Sequence, residues 1–281
     1  MTEFKLIADS GATKTEWRLV GKVVSRSFFT TGISPYHMDM NKIHDLLLNE
    51  FPASLFNKKV STVHYYGTGC KTRAKANVVA KALRQLFPDA TIHVTHDLMG
   101  AAIALCGDGP GIACILGTGS NSCQFNGKKI ISNSPGLGYV LGDEGSGAYL
   151  GRKVVQHYLY QTFDQELMAA FSSQFDTNKE EILHRVYKEP FANRYLASFA
   201  RFLSANRGHF MIENIIEDGF RDFFDQHLTS YAGKNQYPIH FVGSIAFHFK
   251  DKIAELCKIY GFTLGVIMKQ PMNGLAAYHA G

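Results

Sequence analysis

The sequence predicts an α/β protein built from two similar domains. Three observations carry this expectation. The chain has 281 residues, 46% of them hydrophobic and 19% charged, enough to bury two modest cores. Short apolar runs alternate with segments of helical periodicity. An internal echo appears when the chain is shifted by 106 residues: Gly11 falls on Gly117, Gly21 on Gly127 and Lys22 on Lys128. Around those positions the order strand, glycine turn, strand, Gly-Lys turn, strand recurs. A duplicated β-β-β unit explains the echo; two unrelated hairpins with glycine turns would also look alike.

In order, Phe4–Ala8 reads as a strand, Asp9–Lys14 as a polar turn, and Thr15–Val20 with Val23–Phe29 as a hairpin closed by Gly21-Lys22. Met40–Phe51 has helical spacing. Val60–Tyr66 is a strand, Lys71–Phe87 a helix stopped by Pro88, and Ile92–Thr95 a strand. Asp97 is expected to N-cap a helix over Leu98–Leu105. Gly107–Gly111 marks the main boundary, which ends the first stretch at 107 and opens the second at 108. The pattern then restarts with strands Ile112–Leu116, Asn121–Phe125 and Lys129–Ser132. Helical periodicity dominates from Ala148 to about Gln226. A strand at His240–Val242, a helix at Ile245–Tyr260, a strand at Phe262–Met268 and a helix at Gly274–Ala280 close the chain.

Composition excludes several classes. The five cysteines are odd in number, scattered and never in CxxC, which argues against a disulfide framework or a structural zinc site. No basic-then-apolar leader and no run of 18 apolar residues occurs, so a cytoplasmic, non-membrane protein is expected. The net charge of +5 is dispersed, as on a solvated surface rather than a nucleic-acid face.

Two polar loops occupy matched places in the echo, Asp9–Thr15 and Leu116–Ser122. Glycine lets backbone N–H groups converge on an anion, and hydroxyls add donors. The loops therefore suit nucleotide phosphates, with Asp9 orienting Mg²⁺ or its waters. Neither is a GxxxxGK[ST] loop or a G-x-G-x-x-G fingerprint. Each loop alone would pass for a turn. Pro135–Gly147 holds five glycines beside Asp143 and Glu144; it suits a hydroxyl-rich ligand such as a sugar, or merely caps the helix that follows. Asp97, at a strand end entering a helix, is the candidate general base. The helix N-terminus is expected to keep it ionised, and plain capping is the competing role. His96 reads as structural. Gly243-Ser244 forms a small turn before a helix, open to a flat ring or a phosphate, or a tight turn with Ser244 as N-cap.

Taken together, Asp9-x-Gly11-x-Thr13-Lys14-Thr15, Thr95-His96-Asp97, Gly117-Thr118-Gly119-Ser120-Asn121, Gly136-x-Gly138-x-x-x-Gly142-Asp143-Glu144-Gly145-Ser146 and Val242-Gly243-Ser244 resemble the N-acetylglucosamine kinase and BadF/BadG/BcrA/BcrD ATPase family of the actin, Hsp70 and sugar-kinase superfamily. The resemblance runs over nearly the whole chain. It implies two RNase-H-like, actin-like ATPase domains around a nucleotide cleft, with Pro271–Gly281 packed on the first, so that the first domain takes 1–107 plus 270–281 and the second 108–269. It also implies an ATP- and Mg²⁺-dependent kinase acting on the primary hydroxyl of an amino sugar, most simply N-acetylglucosamine. By resemblance, Thr13 and Thr118 contact phosphates, Gly243 and Ser244 lie near the adenosine, and Asp97 is the acceptor-side acid. Ser120, Asn121, Gly136, Gly138 and Asp143 match sugar positions. After Gly32-Ile33-Ser34 the chain departs from the animal enzymes: Pro35-Tyr36 stands where they carry a polar sugar contact, so Tyr36 either stacks on a sugar or packs.

The expected nucleotide set is thus Asp9, Gly11, Thr13, Lys14, Thr15, Gly117, Thr118, Gly119, Gly243 and Ser244. The substrate set is Ser34, Tyr36, Asp97, Ser120, Asn121, Gly136, Gly138, Asp143 and Glu144. Expected partners are a small sugar but no nucleic acid or membrane, with a homodimer left open. Competing readings are a BadF-like reductase activator using Cys70 and Cys106 at an iron–sulfur cluster, a kinase of another small molecule, and a non-catalytic nucleotide-binding protein.

Overall fold

The computed structural model describes residues 3–11, 14–22, 25–231, 233 and 236–280. The chain forms two compact units: Met1–Gly109 with Gly127–Lys129 and Gln270–Gly281, and Pro110–Asn126 with Ile130–Lys269.

Unit 1 opens with strands β1 (Phe4–Ser10), β2 (Lys14–Val20) and β3 (Ser25–Thr31), then helix α1 (Met40–Glu50), β4 (Val60–Gly67), α2 (Arg73–Leu86), β5 (Thr91–Thr95) and α3 (Asp97–Cys106). Its sheet runs β3-β2-β1-β4-β5. The β1–β2 and β2–β3 pairs are antiparallel; β1–β4 and β4–β5 are parallel. Successive residues of β1 point to opposite faces. Leu6 and Ala8 join a core with Trp17, Ile43, Leu47 and Val79, whereas Ile7 packs with Tyr66, Ala104, Met272 and Leu275. Both faces are therefore covered by helices. The fully buried Trp17 satisfies its indole N–H through Thr30 Oγ1 at 2.9 Å.

Unit 2 repeats the arrangement with β6 (Pro110–Leu116), β7 (Ser120–Asn126) and β8 (Ile130–Asn133). Then follow α4 (Gly138–Leu141), α5 (Gly147–Leu159), α6 (Gln165–Gln174), α7 (Lys179–Tyr187), α8 (Ala192–Ser198), α9 (Ala200–Ala205) and α10 (Phe210–Phe223), which runs on into a π-helical turn over Phe224–Leu228. Next come β9 (Ile239–Val242), α11 (Ser244–His248), α12 (Lys250–Ile259) and β10 (Leu264–Met268). The sheet order is β10-β9-β6-β7-β8, with the same pattern of parallel and antiparallel pairs. A phenylalanine-rich core that includes Phe171, Phe202, Phe220 and Phe241 fills this unit. The last helix, α13 (Met272–Ala280), packs in unit 1: His279 Nε2 lies 2.7 Å from Tyr66 Oη, and its carbonyl accepts from Lys5 Nζ at 2.6 Å.

The fold is α/β throughout, as expected, and several local expectations are corrected. Asp97 is the first helical residue of α3, and His96 occupies the cap position without a side-chain bond. Ser244 likewise starts α11, with Gly243 before it. The single helix expected over Ile245–Tyr260 breaks at Phe249, whose φ −112° and ψ 30° turn a buried ring toward Phe220. Part of Pro135–Gly147 forms the short helix α4. The beginning of the expected Val23–Phe29 strand lies outside the described residues. No helix among the described residues is long and apolar enough to cross a membrane.

Candidate active site

In unit 1 the C-terminal ends of the parallel neighbours β1, β4 and β5 lead into turns that bring Asp9, Thr68 and Asp97 together. Asp9 sits opposite Glu16 and beside Tyr66 in the sheet. Burial, then the charge of Asp97, then that of Glu16 push its carboxyl up to about 7. Asp97 accepts from the Leu98 N–H at 2.9 Å. Burial raises its pKa, against the pull of that N–H, of His96 and of the Thr68 side chain. This corrects the expected electrostatics. A helix end is worth about 0.3–1 kcal/mol, less than one pKa unit, and loss of water outweighs it. Two carboxyl groups that resist ionisation together favour a cation or a proton between them. Among the described residues no cluster of three or more His, Cys, Asp or Glu is arranged to hold a metal. A Mg²⁺ ion held by one carboxylate, waters and phosphate oxygens fits this donor set, because Mg²⁺ is rarely caged by protein alone.

The neighbouring hairpin divides the expected nucleotide set. Gly11 is exposed, and its N–H donates to the Lys14 carbonyl at 3.0 Å. Lys14 is exposed, with Nζ 4.0 Å from the centre of the Phe29 ring. Thr13 lies outside the described residues. Thr15 is fully buried, with its hydroxyl 2.7 Å from Ser10 Oγ, so it secures the hairpin and has no surface for a nucleotide. Ser34 caps a turn through its carbonyl, which accepts from His37 and Met38. The exposed Tyr36 lies against Gly69, where an added Cβ would come 3.0 Å from its ring. Lys75 Nζ sits 4.8 Å from the Tyr36 ring centre and donates to the Pro35 carbonyl at 2.8 Å.

In unit 2 three glycine-bearing segments converge at the end of β6. The Gly147 and Ala148 N–H groups donate to the Gly117 and Thr118 carbonyls at 2.8 and 3.0 Å. Gly243 has φ +130°, and an added Cβ would lie 2.1 Å from the Leu116 carbonyl oxygen, so only glycine fits. Thr118 and Ser244 remain exposed beside this junction. Gly119 faces Asp143: an added Cβ would stand 2.8 Å from Asp143 Oδ2. Asp143 adopts φ 57°, sparsely populated for a residue with a side chain. Burial raises its pKa, and the Ser120 backbone bond opposes this. Gly136 lies by Asn121, whose Oδ1 accepts from Ser122 N and Asn133 Nδ2. The buried Ser120 hydroxyl has no hydrogen-bond partner among the described residues, an unmet bond in a setting where most buried polar groups are paired. Glu144 lies 3.0 Å from the buried His227. Gly138 stands in open space at the start of α4.

Two of these residues were not singled out in the sequence. Thr68 carries a readable signal: Gly67-Thr68-Gly69 repeats the tripeptide Gly117-Thr118-Gly119. His227 carries none, because its approach to Glu144 is made by tertiary packing. Cys70 is buried, and its thiol is pushed up to about 12 by burial and then by Asp97. Cys106 ends the ten-residue helix α3 that starts at Asp97, so it lies roughly 14 Å along the helix axis from Asp97.

No protein-family model matches the sequence. A solved structure from Porphyromonas gingivalis, described as a candidate N-acetylglucosamine kinase, is 40% identical with a TM-score of 0.93, over 98% of each chain. A ROK-family glucokinase from Streptomyces griseus, solved with glucose and AMPPNP, shares the fold at TM-score 0.56 and 13% identity, over 98% of this chain and 97% of that one. A curated N-acetylmuramic acid/N-acetylglucosamine kinase from Clostridium acetobutylicum is 28% identical over 159 residues, 53% of this chain and 51% of that protein. The chain thus matches about half the length of that curated relative. The paired five-stranded sheets, each ending in glycine turns, define an α/β protein of the actin-like sugar-kinase class. Within it, the chain belongs to the N-acetylglucosamine kinase family, a family of phosphotransferases.

Proposed function

We propose that this protein is an ATP-dependent sugar kinase that phosphorylates the primary hydroxyl of an amino sugar, N-acetylglucosamine first, with Asp97 as general base. The observation that carries the reading is the partly accessible Asp9–Asp97 pair, whose carboxyl groups burial holds above their ordinary range. A base with a raised pKa accepts a hydroxyl proton more readily near neutrality.

Bound Mg²⁺–ATP supplies the γ-phosphoryl group. In unit 1, Asp9 holds the ion through water, and Gly11 and Lys14, with Thr13, meet phosphate oxygens. In unit 2, Gly117, Thr118 and Gly119 offer backbone and hydroxyl donors, with Gly243 and Ser244 toward the adenosine. The sugar is held by Ser120, Asn121, Asp143 and Glu144, beside Gly136 and Gly138, with Ser34 and Tyr36 as further contacts. Asp97 takes the proton as the sugar oxygen bonds to phosphorus and the bridging P–O bond breaks toward ADP. Residues otherwise position the reactants and offset charge, as phosphoryl transfer requires.

The test is ADP release with the mass of the product, measured over N-acetylglucosamine, N-acetylmannosamine, glucosamine, N-acetylmuramic acid and glucose. A gain of one phosphate on N-acetylglucosamine, with the highest kcat/KM of the panel, is expected. ADP release that no sugar stimulates overturns the reading.

A further inference from the structure

A cavity of about 590 Å³ opens among the helices of unit 2, lined by the end of α6, by α7, by α8 and by the start of α9. None of the residues discussed above borders it. Its volume lies within the usual range for small-molecule sites.

Three arginines on its wall are each laid over an aromatic ring. Arg185 is 4.3 Å from the Tyr195 ring centre, Arg201 is 4.6 Å from Phe175, and Arg194 is 5.0 Å from Phe191. Stacking fixes a guanidinium plane and leaves its N–H edge free for oxyanions. The three are not equivalent. Arg185 is already engaged by Glu181 at 4.0 Å and Glu189 at 3.6 Å. Among the described residues, Arg194 and Arg201 have no carboxylate partner. Two aromatic-backed guanidiniums without counter-ions therefore border one cavity.

The backbone offers a second, independent sign. Phe191, in the lining, holds φ 63° and ψ 35° at the entrance of α8. A bulky side chain in the left-handed region costs about 1–3 kcal/mol, and such strain gathers at ligand sites. The Phe191 ring is half exposed. Asp176, exposed on the same wall, has no hydrogen-bond partner among the described residues and, as an acceptor, suits hydroxyl groups rather than a second anion.

We propose that this cavity binds a phosphorylated, sugar-sized metabolite. Arg194 and Arg201 hold its phosphate, Phe191 supports its carbon skeleton, and Asp176 accepts from its hydroxyls. Two uncommitted guanidiniums match the charge of about −1.5 to −2 on a phosphomonoester. The volume exceeds that of phosphate alone and leaves room for the organic part.

The experiment is calorimetric titration of the full chain, held saturated with AMPPNP and N-acetylglucosamine, using glucose 6-phosphate, inorganic phosphate and glucose as probes. Glucose 6-phosphate is expected to bind at one saturable site, inorganic phosphate at least threefold more weakly at the same place, and glucose not at all. The R194Q/R201Q variant should lose at least tenfold in affinity for glucose 6-phosphate, with kcat and both KM values unchanged. The exposed single change R201Q, checked by its melting temperature, serves if the double variant does not fold. Absence of saturable binding to the wild type overturns the site, as does unchanged affinity in the folded variant. Equal or tighter binding of inorganic phosphate overturns the organic part.

Discussion

The two units share one frame and differ in what stands at the ends of its strands. Shifting β1 and β2 by 106 residues lands on the observed bounds of β6 and β7, and both sheets repeat one strand order. Yet Asp9 corresponds to Ile115, and Ser10 to Leu116. Where β5 is followed by His96-Asp97, β10 is followed by Lys269-Gln270. Unit 1 therefore keeps a carboxylate pair where unit 2 has none. Unit 2 instead gathers Gly117, Gly119, Gly147 and Gly243 around one strand end. The hairpins also differ by one residue. Ser10 pairs with Thr15 around residues 11–14, whereas Leu116 pairs with Ser120 around residues 117–119. A one-residue change in register turns side chains to the other face. A duplicated frame thus carries paired carboxyl groups in one unit and close backbone approach in the other.

The sharpest way to break this division is D97N. We expect kcat to fall by roughly 10²- to 10⁴-fold, with nucleotide affinity, measured by calorimetry, nearly unchanged. Ordinary turnover by that variant would remove the acid–base role of unit 1. Next is G243A. A Cβ forced to 2.1 Å from the Leu116 oxygen at φ +130° should cost about 1–3 kcal/mol, lowering the melting temperature by roughly 5–10 °C. An unchanged melting curve would contradict the tight junction of unit 2.

A smaller effect is expected for G119A, whose Cβ would press on Asp143. The sugar KM should rise by about tenfold, a loss of about 1.4 kcal/mol, with kcat changing less. Equal effects on the KM for ATP and for the sugar would show that Asp143 does not belong to a sugar subsite. The pH dependence is milder. The folded Asp9 carboxyl titrates near 7 and an unfolded one near 3.9. The folded state therefore binds more protons between those values. Stability from Asp9 is full below about pH 4 and declines through about pH 7. Denaturant titrations of D9N should show a flatter profile across that window than wild type. The smallest structural effect belongs to G117A, whose added Cβ meets nothing within 4 Å. Its melting temperature should stay within about 1 °C of wild type; weaker ATP binding at that constant stability would mark the space above Gly117 as the nucleotide's.

Much of the frame was legible because its signals are local. Short apolar runs, glycine turns and the Pro88 stop set most elements within one or two residues, and the echo exposed the duplication. The errors fell where burial overrode local preference. Phe249 broke a helix to reach the core, and Thr15 turned inward although its neighbours read as a phosphate loop. Asp97 was legible as a residue but not in its electrostatics, because desolvation depends on what surrounds it.

The sequence by itself determined the α/β class, the repeated strand pattern, the glycine-rich turns and the acids Asp9, Asp97 and Asp143. Their types and spacing are properties of neighbouring residues. Only the tertiary structure decided that Asp9 and Asp97 share one strand-end site, that Thr68 and His227 attend the carboxylates, and that Arg194 and Arg201 meet at a second cavity. Those juxtapositions join residues far apart in the chain, and long-range packing and the loss of water create them.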